Sequence, residues 1–314
     1  MLKIFTYEKI PEDITFPILL EDHLGGFDIQ LNNDYFKILD DYAESKNLIG
    51  EVYTNYLFDD SIKVKYKNLE FKLYFEEYLN DLRSYTMHPE NKFENFISCF
   101  NGAKHVSRQL LTSILNNQGL FNKTYCSKNF TTNNDEVTSH LNNFYLDEKE
   151  VRLYEKFFLN DDEFNKNNFS FGYNEDFKFD HDKNIFNIEN IITKSFLNIV
   201  SETMATSYYP FITEKFLYSV VTRGLFLSYA QPNWHKQLVR MYGFRLYDKV
   251  FDYSFDEILN PVKRLIKLLD SITRFQFLSI NELNDLYEME KETIEFNYSH
   301  YFSGEYQKNI MVHT

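Results

Sequence analysis

The stretch from Val200 to Pro232, VSETMATSYYPFITEKFLYSVVTRGLFLSYAQP, decides the fold. It reads as strand, polar loop, helix, second strand and turn. Leu197, Ile199 and Val200 form an apolar run that stops at Ser201-Glu202-Thr203, three hydrogen-bonding residues where a buried strand surfaces. Thr213 is placed to cap a helix whose first turn holds Glu214 and Lys215, with Leu217, Val220 and Val221 at helical spacing behind them. Gly224 reads as the helix stop, and LFLSY at 225–229 as the next buried strand. A carboxylate, a hydroxyl and an ammonium thus gather at a helix N-terminus beside the carboxyl end of a strand. Open α/β sheets bind ligands at that edge, and helix N-termini favour phosphate. The plainer alternative is an ordinary capped helix carrying a surface Glu–Lys pair.

A second unit of the same kind lies upstream. FISCF at 96–100 is a strand ending at Asn101-Gly102, followed by a basic turn, Ala103-Lys104-His105-Val106-Ser107-Arg108. An amphipathic helix from about Ser107 to Asn117 carries Leu110, Leu111, Ile114 and Leu115; Gly119 closes it, and 123–127 starts another strand ending in Ser127. Strand, Gly turn with cations, then helix suits a diphosphate: backbone N–H groups and fixed positive charge neutralise it. Many βα units share this feature. Downstream, the pattern predicts a helix over 234–243, a final strand over 245–251 and helices over 256–269 and 282–295. The two helices are expected to pack across the sheet or swing back onto the first domain. The aromatic and polar tail from Asn297 is expected to be poorly ordered.

These residues resemble a specific family. Ser201-Glu202-Thr203, a loop, then Phe211-Ile212-Thr213-Glu214-Lys215 is similar to the nucleotide-sugar site of the α1,3-fucosyltransferase-like glycosyltransferases. The resemblance continues through Pro232, Leu238, Gly243-Phe244, the run Phe251-Asp252-Tyr253-Ser254-Phe255-Asp256-Glu257-Ile258, Asn260-Pro261 and Arg264, in the style of the bacterial and viral branch. The upstream turn also matches, at Asn101, Gly102, Arg108, Gly119-Leu120, Lys123 and Ser127. It departs at Ala103, His105 and Ser107, where the family carries a second Arg and a His. Together the matches cover about a third of the chain.

The resemblance implies a GT-B fold, two Rossmann-like α/β domains facing a cleft. Residues 1–93 would form the acceptor-side domain and 94–280 the nucleotide-sugar domain, with a polar insertion near 128–188. Residues 281–314 would be a C-terminal helix and tail. It implies transfer of a sugar from a GDP- or UDP-linked donor to an acceptor hydroxyl, with inversion and no metal or other cofactor. Fucosyl or hexosyl transfer is the expected chemistry. Arg108 and Lys215 would neutralise the diphosphate, with Lys104 and His105 standing in for the missing cation. Glu214 would accept from ribose hydroxyls, Glu202 and Thr203 would lie near the sugar or base, and Asn101, Ser127 and Thr213 would complete the donor site. Charge grows on the leaving diphosphate in the transition state, so these cations would serve catalysis as well as binding.

The resemblance does not reach the first domain, which should choose the acceptor. There, 3–7 and 51–57 read as strands, 35–42 and 73–82 as helices, and KVKYK at 63–67 as an edge strand guarded by lysines. Inverting transfer needs a base for the acceptor proton, and Glu21, Asp22 and Asp28 beside Gly25-Gly26 are the candidates by position; a solvated acidic loop is the plain alternative. Residues 87–91, MHPEN, read as a linker. Within 128–188, 146–158 reads as a charged helix, and Asp180-His181-Asp182 is a D-x-D triplet with no apolar strand before it, so a metal role is not assigned.

Composition bounds the rest. The chain has 314 residues, of which 43% are hydrophobic, with 32 Phe and 24 Tyr. At roughly 150 residues per domain this suggests two domains. The net charge of −14 argues against nucleic-acid binding through phosphate contacts alone. A glycan or other hydroxyl acceptor suits that charge. The alternatives are a viral enzyme glycosylating a hydroxylated DNA base, with KVKYK, Lys104, His105 and Arg108 lining one groove, and a non-catalytic binding protein on the same fold. Two cysteines, Cys99 and Cys126, sit in or beside apolar runs and are expected to be buried thiols. No leader-like apolar segment opens the chain, and no apolar run approaches the about 18–20 residues of a membrane span, so a cytoplasmic protein without membrane insertion is expected.

Overall fold

The computed structural model describes residues 2–5, 14–21, 33–58, 60–73, 77–85, 91–101, 104–120, 124–128, 133–144, 188–202, 205 and 210–308. Two parallel sheets organise them. The first holds β1 (Leu2–Phe5), β2 (Ile18–Glu21), β3 (Gly50–Thr54) and β4 (Leu69–Leu73) in that spatial order, all parallel. Helix α1 (Asn33–Ser45) links β2 to β3, and α2 (Asp60–Lys65) links β3 to β4. Ile18, Leu20, Phe36, Leu39, Val52, Ile62 and Tyr66 form its core. Gly50 is dictated by close approach: a Cβ there would lie 2.3 Å from the Phe16 ring.

The second sheet holds β5 (Asn95–Asn101), β6 (Thr124–Lys128), β7 (Ser195–Ser201) and β8 (Leu225–Tyr229) in the order β6-β5-β7-β8, again all parallel. Every residue of β7 and β8 is buried, as expected of parallel strands covered on both faces. Helix α3 (Val106–Asn117) crosses from β5 to β6, and α4 (Asn134–Phe144) follows β6. A 3-10 turn, Glu214–Phe216, runs into the short α5 (Leu217–Val221), which crosses from β7 to β8. The two crossovers leave β5 and β7 in opposite directions. Right-handed connections therefore place α3 and α5 on opposite faces and make the carboxyl ends of β5 and β7 a topological switch point, the place where open sheets form a crevice. A buried polar ladder fixes α5 to the sheet: Ser98 Oγ donates to Asn198 Oδ1 (3.2 Å) and Asn198 Nδ2 donates to Ser219 Oγ (2.8 Å).

Helices α6 (Trp234–Tyr242), α7 (Pro261–Thr273), α8 (Ile280–Met289) and α9 (Lys291–Ser303) complete the chain. Among the described residues, no helix is long and apolar enough to cross a membrane. Tyr301 and Tyr306 are buried and both donate to the carbonyl of Leu79, and Arg83 Nη2 donates to the carbonyl of Phe302 (3.2 Å). The C-terminal helix thus docks on the 3-10 helix Glu77–Ser84, and Leu79, Leu82 and Tyr85 share the core of the second sheet.

Several sequence expectations change. KVKYK is no edge strand: it ends α2 and enters a turn, with Ile62 and Tyr66 buried but Val64 73% exposed, which rules out alternation. The span 73–82 is a strand end followed by the 3-10 helix. The left-handed residue that stops α5 is Arg223 (φ 55°), whereas Gly224 is required by packing, since a Cβ would sit 2.9 Å from Ile192 Cγ2. The helix expected from 256 starts at Pro261, because Asn260 caps it by accepting from Lys263 N–H (3.0 Å). The helix expected over 282–295 is two helices, the first set by the Ser279–Glu282 capping box. The tail past Asn297 is ordered helix through Ser303. Residues 86–90, 145–187 and 309–314 lie outside the described residues, and with them most of the linker, the 146–158 helix and the D-x-D triplet.

The strand expected over 245–251 is absent, and side chains replace its ladder. Asn297 Oδ1 accepts from Arg245 N–H (2.8 Å) while its Nδ2 donates to Arg245 C=O (2.9 Å). Glu290 Oε1 accepts from the N–H groups of Lys249 (2.7 Å) and Val250 (3.1 Å). Asn297→Ala should therefore lower unfolding free energy by about 1–3 kcal/mol. Urea titration is the check: a shifted midpoint at unchanged slope is expected, and a change within a few tenths would show that water replaces both bonds.

Candidate functional site

The residues at the carboxyl ends of β5 and β7 are held by a closed set of polar contacts. Glu202 follows β7 directly and is fully buried. Its N–H donates to Tyr229 C=O (3.0 Å), and its own C=O accepts from Ser107 Oγ in the first turn of α3 (3.0 Å). Its carboxylate Oε2 accepts from Thr213 Oγ1 (2.7 Å). Thr213 caps the 3-10 turn, as its spacing predicted, and accepts in turn from Lys215 Nζ (2.9 Å). Lys215 Nζ lies 3.7 Å from Glu202 Oε2 and 3.9 Å from Glu214 Oε1. The two stretches read separately in the sequence, the basic turn before α3 and the Thr-Glu-Lys turn, meet at the switch point.

Electrostatics reflect that meeting. Burial raises the Glu202 pKa above its ordinary value of 4.5, with Lys215 and the Thr213 hydrogen bond opposing the rise. His105, the extended residue before α3, is pushed down to about 4, first by burial and then by the positive charges of Arg108 and Lys215. It is therefore neutral near pH 7 and adds no positive charge at this edge. Lys104 points elsewhere, pairing with Glu136 of α4 at 2.7 Å. Among the described residues, Arg108 and Lys215 are the cations gathered at this edge, with Arg108 buried and Lys215 partly exposed. Asn101, the last residue of β5, is buried and its Nδ2 reaches Cys99 Sγ (3.2 Å) and Cys126 Sγ (3.5 Å), the two free thiols. Ser127 lies in β6 opposite Phe100. Thr203, Asp22 and Asp28 lie outside the described residues; Glu21 ends β2, at the carboxyl edge of the first sheet.

That edge meets the site. Tyr56, two residues past β3, forms an antiparallel bridge with Phe211, and Leu57 N–H donates to Pro210 C=O (2.9 Å). The Phe211 ring lies 5.8 Å from that of Tyr56, while Trp234 Nε1 donates to Phe211 C=O (3.2 Å). The segment leading to Thr213 is therefore clasped between the two sheets.

Three structural roles escaped the sequence reading, at residues quoted there in comparison with the family. Ser107 appeared only as a departure from the family pattern, yet it ties α3 to Glu202. Arg264, buried and with its pKa lowered to about 10 by burial, donates to the carbonyls of Ala205, Ala230 (2.9 Å), Ile258 and Leu259 (3.0 Å). It braces the loop after β7 against the end of β8. Asp256 caps α6, accepting from the N–H groups of His235 and Lys236 (both 3.1 Å) and from His235 Nδ1 (2.8 Å). Because His235 Nε2 accepts from Ser228 N–H (3.1 Å), the ring is the neutral Nδ1–H tautomer, and this buried His–Asp pair is a brace with no nitrogen left to act as a base. The polar run at 251–258 is thus structural at Asp256.

Several buried polar atoms without hydrogen bonds lie on the same edge: Ser201 Oγ, Glu202 Oε1, Ser228 Oγ and both ends of the Gln231 carboxamide, while others are scattered over the described residues. Native interiors leave few such atoms, so a cluster marks a place where polar groups await partners. Among the described residues, no three His, Cys, Asp or Glu side chains gather to hold a metal ion. No protein-family model, curated protein or solved structure matches the chain.

The two shifted groups predict opposite pH slopes. The folded protein binds a proton at His105 less readily than the unfolded chain, so this stability is full above the ordinary 6.5 and is lost as pH falls towards about 4. Glu202 holds its proton longer when folded, so its contribution falls as pH rises above 4.5 through its raised value. In thermal melts over pH 4–7, His105→Gln should remove the rise and Glu202→Gln the fall. Unchanged profiles for both would contradict these environments.

Proposed function

We propose that this chain is a glycosyltransferase of the two-domain GT-B type, in which a nucleotide-sugar lies on the second sheet and an acceptor hydroxyl approaches from the first. The observation that carries this reading is the convergence of Arg108, Lys215, Thr213 and Glu202 at the crevice between β5 and β7, the edge where open parallel sheets bind nucleotides. The clasp at Tyr56 and Phe211 supports it by bringing the carboxyl edge of the first sheet against the same site. The mutual pairing of Lys215 with Thr213 and Glu202 preorganises an ammonium that would otherwise be mobile.

In the proposed reaction the acceptor oxygen bonds to the anomeric carbon as the bond from that carbon to the diphosphate oxygen breaks, with inversion. The acceptor proton passes to a carboxylate of the first domain; of the three candidates, Glu21 stands at a strand's carboxyl end. In this reading Arg108 and Lys215 stabilise the charge that grows on the leaving diphosphate, and neutral His105 would donate a hydrogen bond to it. Glu214 takes the ribose hydroxyls. A glycan or another hydroxyl compound is the proposed acceptor.

A second reading, a nucleotide-binding protein without turnover, is favoured by one observation: Lys104 is paired with Glu136 and His105 is neutral, so neither replaces the missing family cation.

Calorimetry against GDP, UDP and CMP tests the site. One nucleotide should bind, and Lys215→Ala should weaken it by about 10–100-fold, the worth of a charge-assisted contact. Absence of binding by the folded protein would end both readings. With donor and acceptor supplied, Glu21→Gln should lower turnover by about 10²–10⁴-fold while leaving nucleotide affinity intact; a wild-type protein that binds but never turns over would favour the second reading.

A further inference from the structure

Gln231 lies two residues past the carboxyl end of β8 and is 1% exposed, yet neither its amide nitrogen nor its amide oxygen makes a hydrogen bond. Among the described residues, no other carboxamide has both ends buried and unpaired. Burying a carboxamide without partners is unfavourable, and a Leu or Met of similar volume would avoid that cost. The position is also rigid. Its carbonyl accepts from Trp234 N–H (3.3 Å), the preceding Ala230 carbonyl is held by Arg264 Nε (2.9 Å), and Pro232 follows. Strand register sets it beside the candidate site: Ser201 pairs with Tyr229, and Glu202 N–H bonds the Tyr229 carbonyl. Ser201 Oγ and Glu202 Oε1, also unpaired, share that edge.

We propose that Gln231 reads the base of the bound nucleotide, donating one hydrogen bond and accepting another along the base edge. This rests on the donor-site reading above, which supplies a nucleotide whose diphosphate lies at Arg108 and Lys215. A carboxamide offers one donor and one acceptor side by side in a plane, and base edges present the complementary pair. Sugar hydroxyls, each both donor and acceptor, are better matched by carboxylates such as Glu214. A neutral reader also suits the base, because it adds no charge next to the diphosphate. Gln231 would therefore set base preference while contributing nothing to phosphate binding.

The test is calorimetry of the whole chain against inorganic pyrophosphate, GDP, UDP, CDP and ADP, for wild type, Gln231→Leu and Gln231→Glu. Wild type should bind pyrophosphate and prefer one nucleotide. Gln231→Leu should lose about tenfold or more of affinity for that nucleotide, flatten the differences among the four and leave pyrophosphate affinity unchanged. Gln231→Glu, which only accepts, should reorder the four in favour of bases presenting adjacent donors. Wild-type affinities and ranking in both variants would overturn the proposal. Equal losses for pyrophosphate and nucleotides would also overturn it, since that marks general damage. Failure of wild type to bind pyrophosphate or any nucleotide would instead sink the donor-site reading, and this inference with it. Should Gln231→Leu not fold, Gln231→Met serves the same comparison.

Discussion

Glu202 is a carboxylate with no access to water, and much of the second sheet's edge is arranged around that fact. An unpaired buried carboxylate costs several kcal/mol. Here a hydroxyl from Thr213 and the nearby Lys215 ammonium offset part of that cost at the carboxylate, while Ser107 and Tyr229 hold the residue's backbone C=O and N–H. The same contacts fix three elements relative to each other: the end of β7, the first turn of α3 and the 3-10 turn that opens α5. The constraint that keeps Glu202 tolerable is thus also what holds the cations at one crevice.

A second constraint is backbone satisfaction where regular structure stops. Beyond β8 the chain has long stretches without a ladder, and side chains from distant helices take its place. Asn297 brackets Arg245, Glu290 holds the amides of Lys249 and Val250, and Arg264 serves carbonyls from three separate segments. These three residues are buried because each completes hydrogen bonds that would otherwise be lost. Arg264 does more than stabilise. It braces Ala205 and Ala230, the described flanks of the β7 and β8 exits, so among the described residues the candidate site rests on a guanidinium bonded to backbone carbonyls.

The second sheet was legible in the sequence because its strands are short apolar runs that end in polar residues. Thr213 works as the cap its spacing predicted, whereas the Asn260 cap went unread and moves the start of α7 from 256 to 261. The site residues from Asn101 to Lys215 could be named because each sits at the end of such a run. What could not be read is long-range. An apolar segment at 245–251 looks like a strand until Asn297, 52 residues on, and Glu290 claim its backbone. The Lys-rich alternation at 63–67 suggests an edge strand because spacing of four fits either period; the exposure of Val64 decides for the helix. Gln231 left a signal that was passed over: a polar residue just past a buried strand, the same cue that singled out Ser201 and Glu202.

Amide hydrogen exchange with and without pyrophosphate tests the central claim most directly, that the crevice between β5 and β7 is where ligand binds. Slowed exchange in 104–109 and 201–216, with the far edge of the first sheet unchanged, is the predicted result. Protection confined to other segments, or none at saturating pyrophosphate, would contradict it.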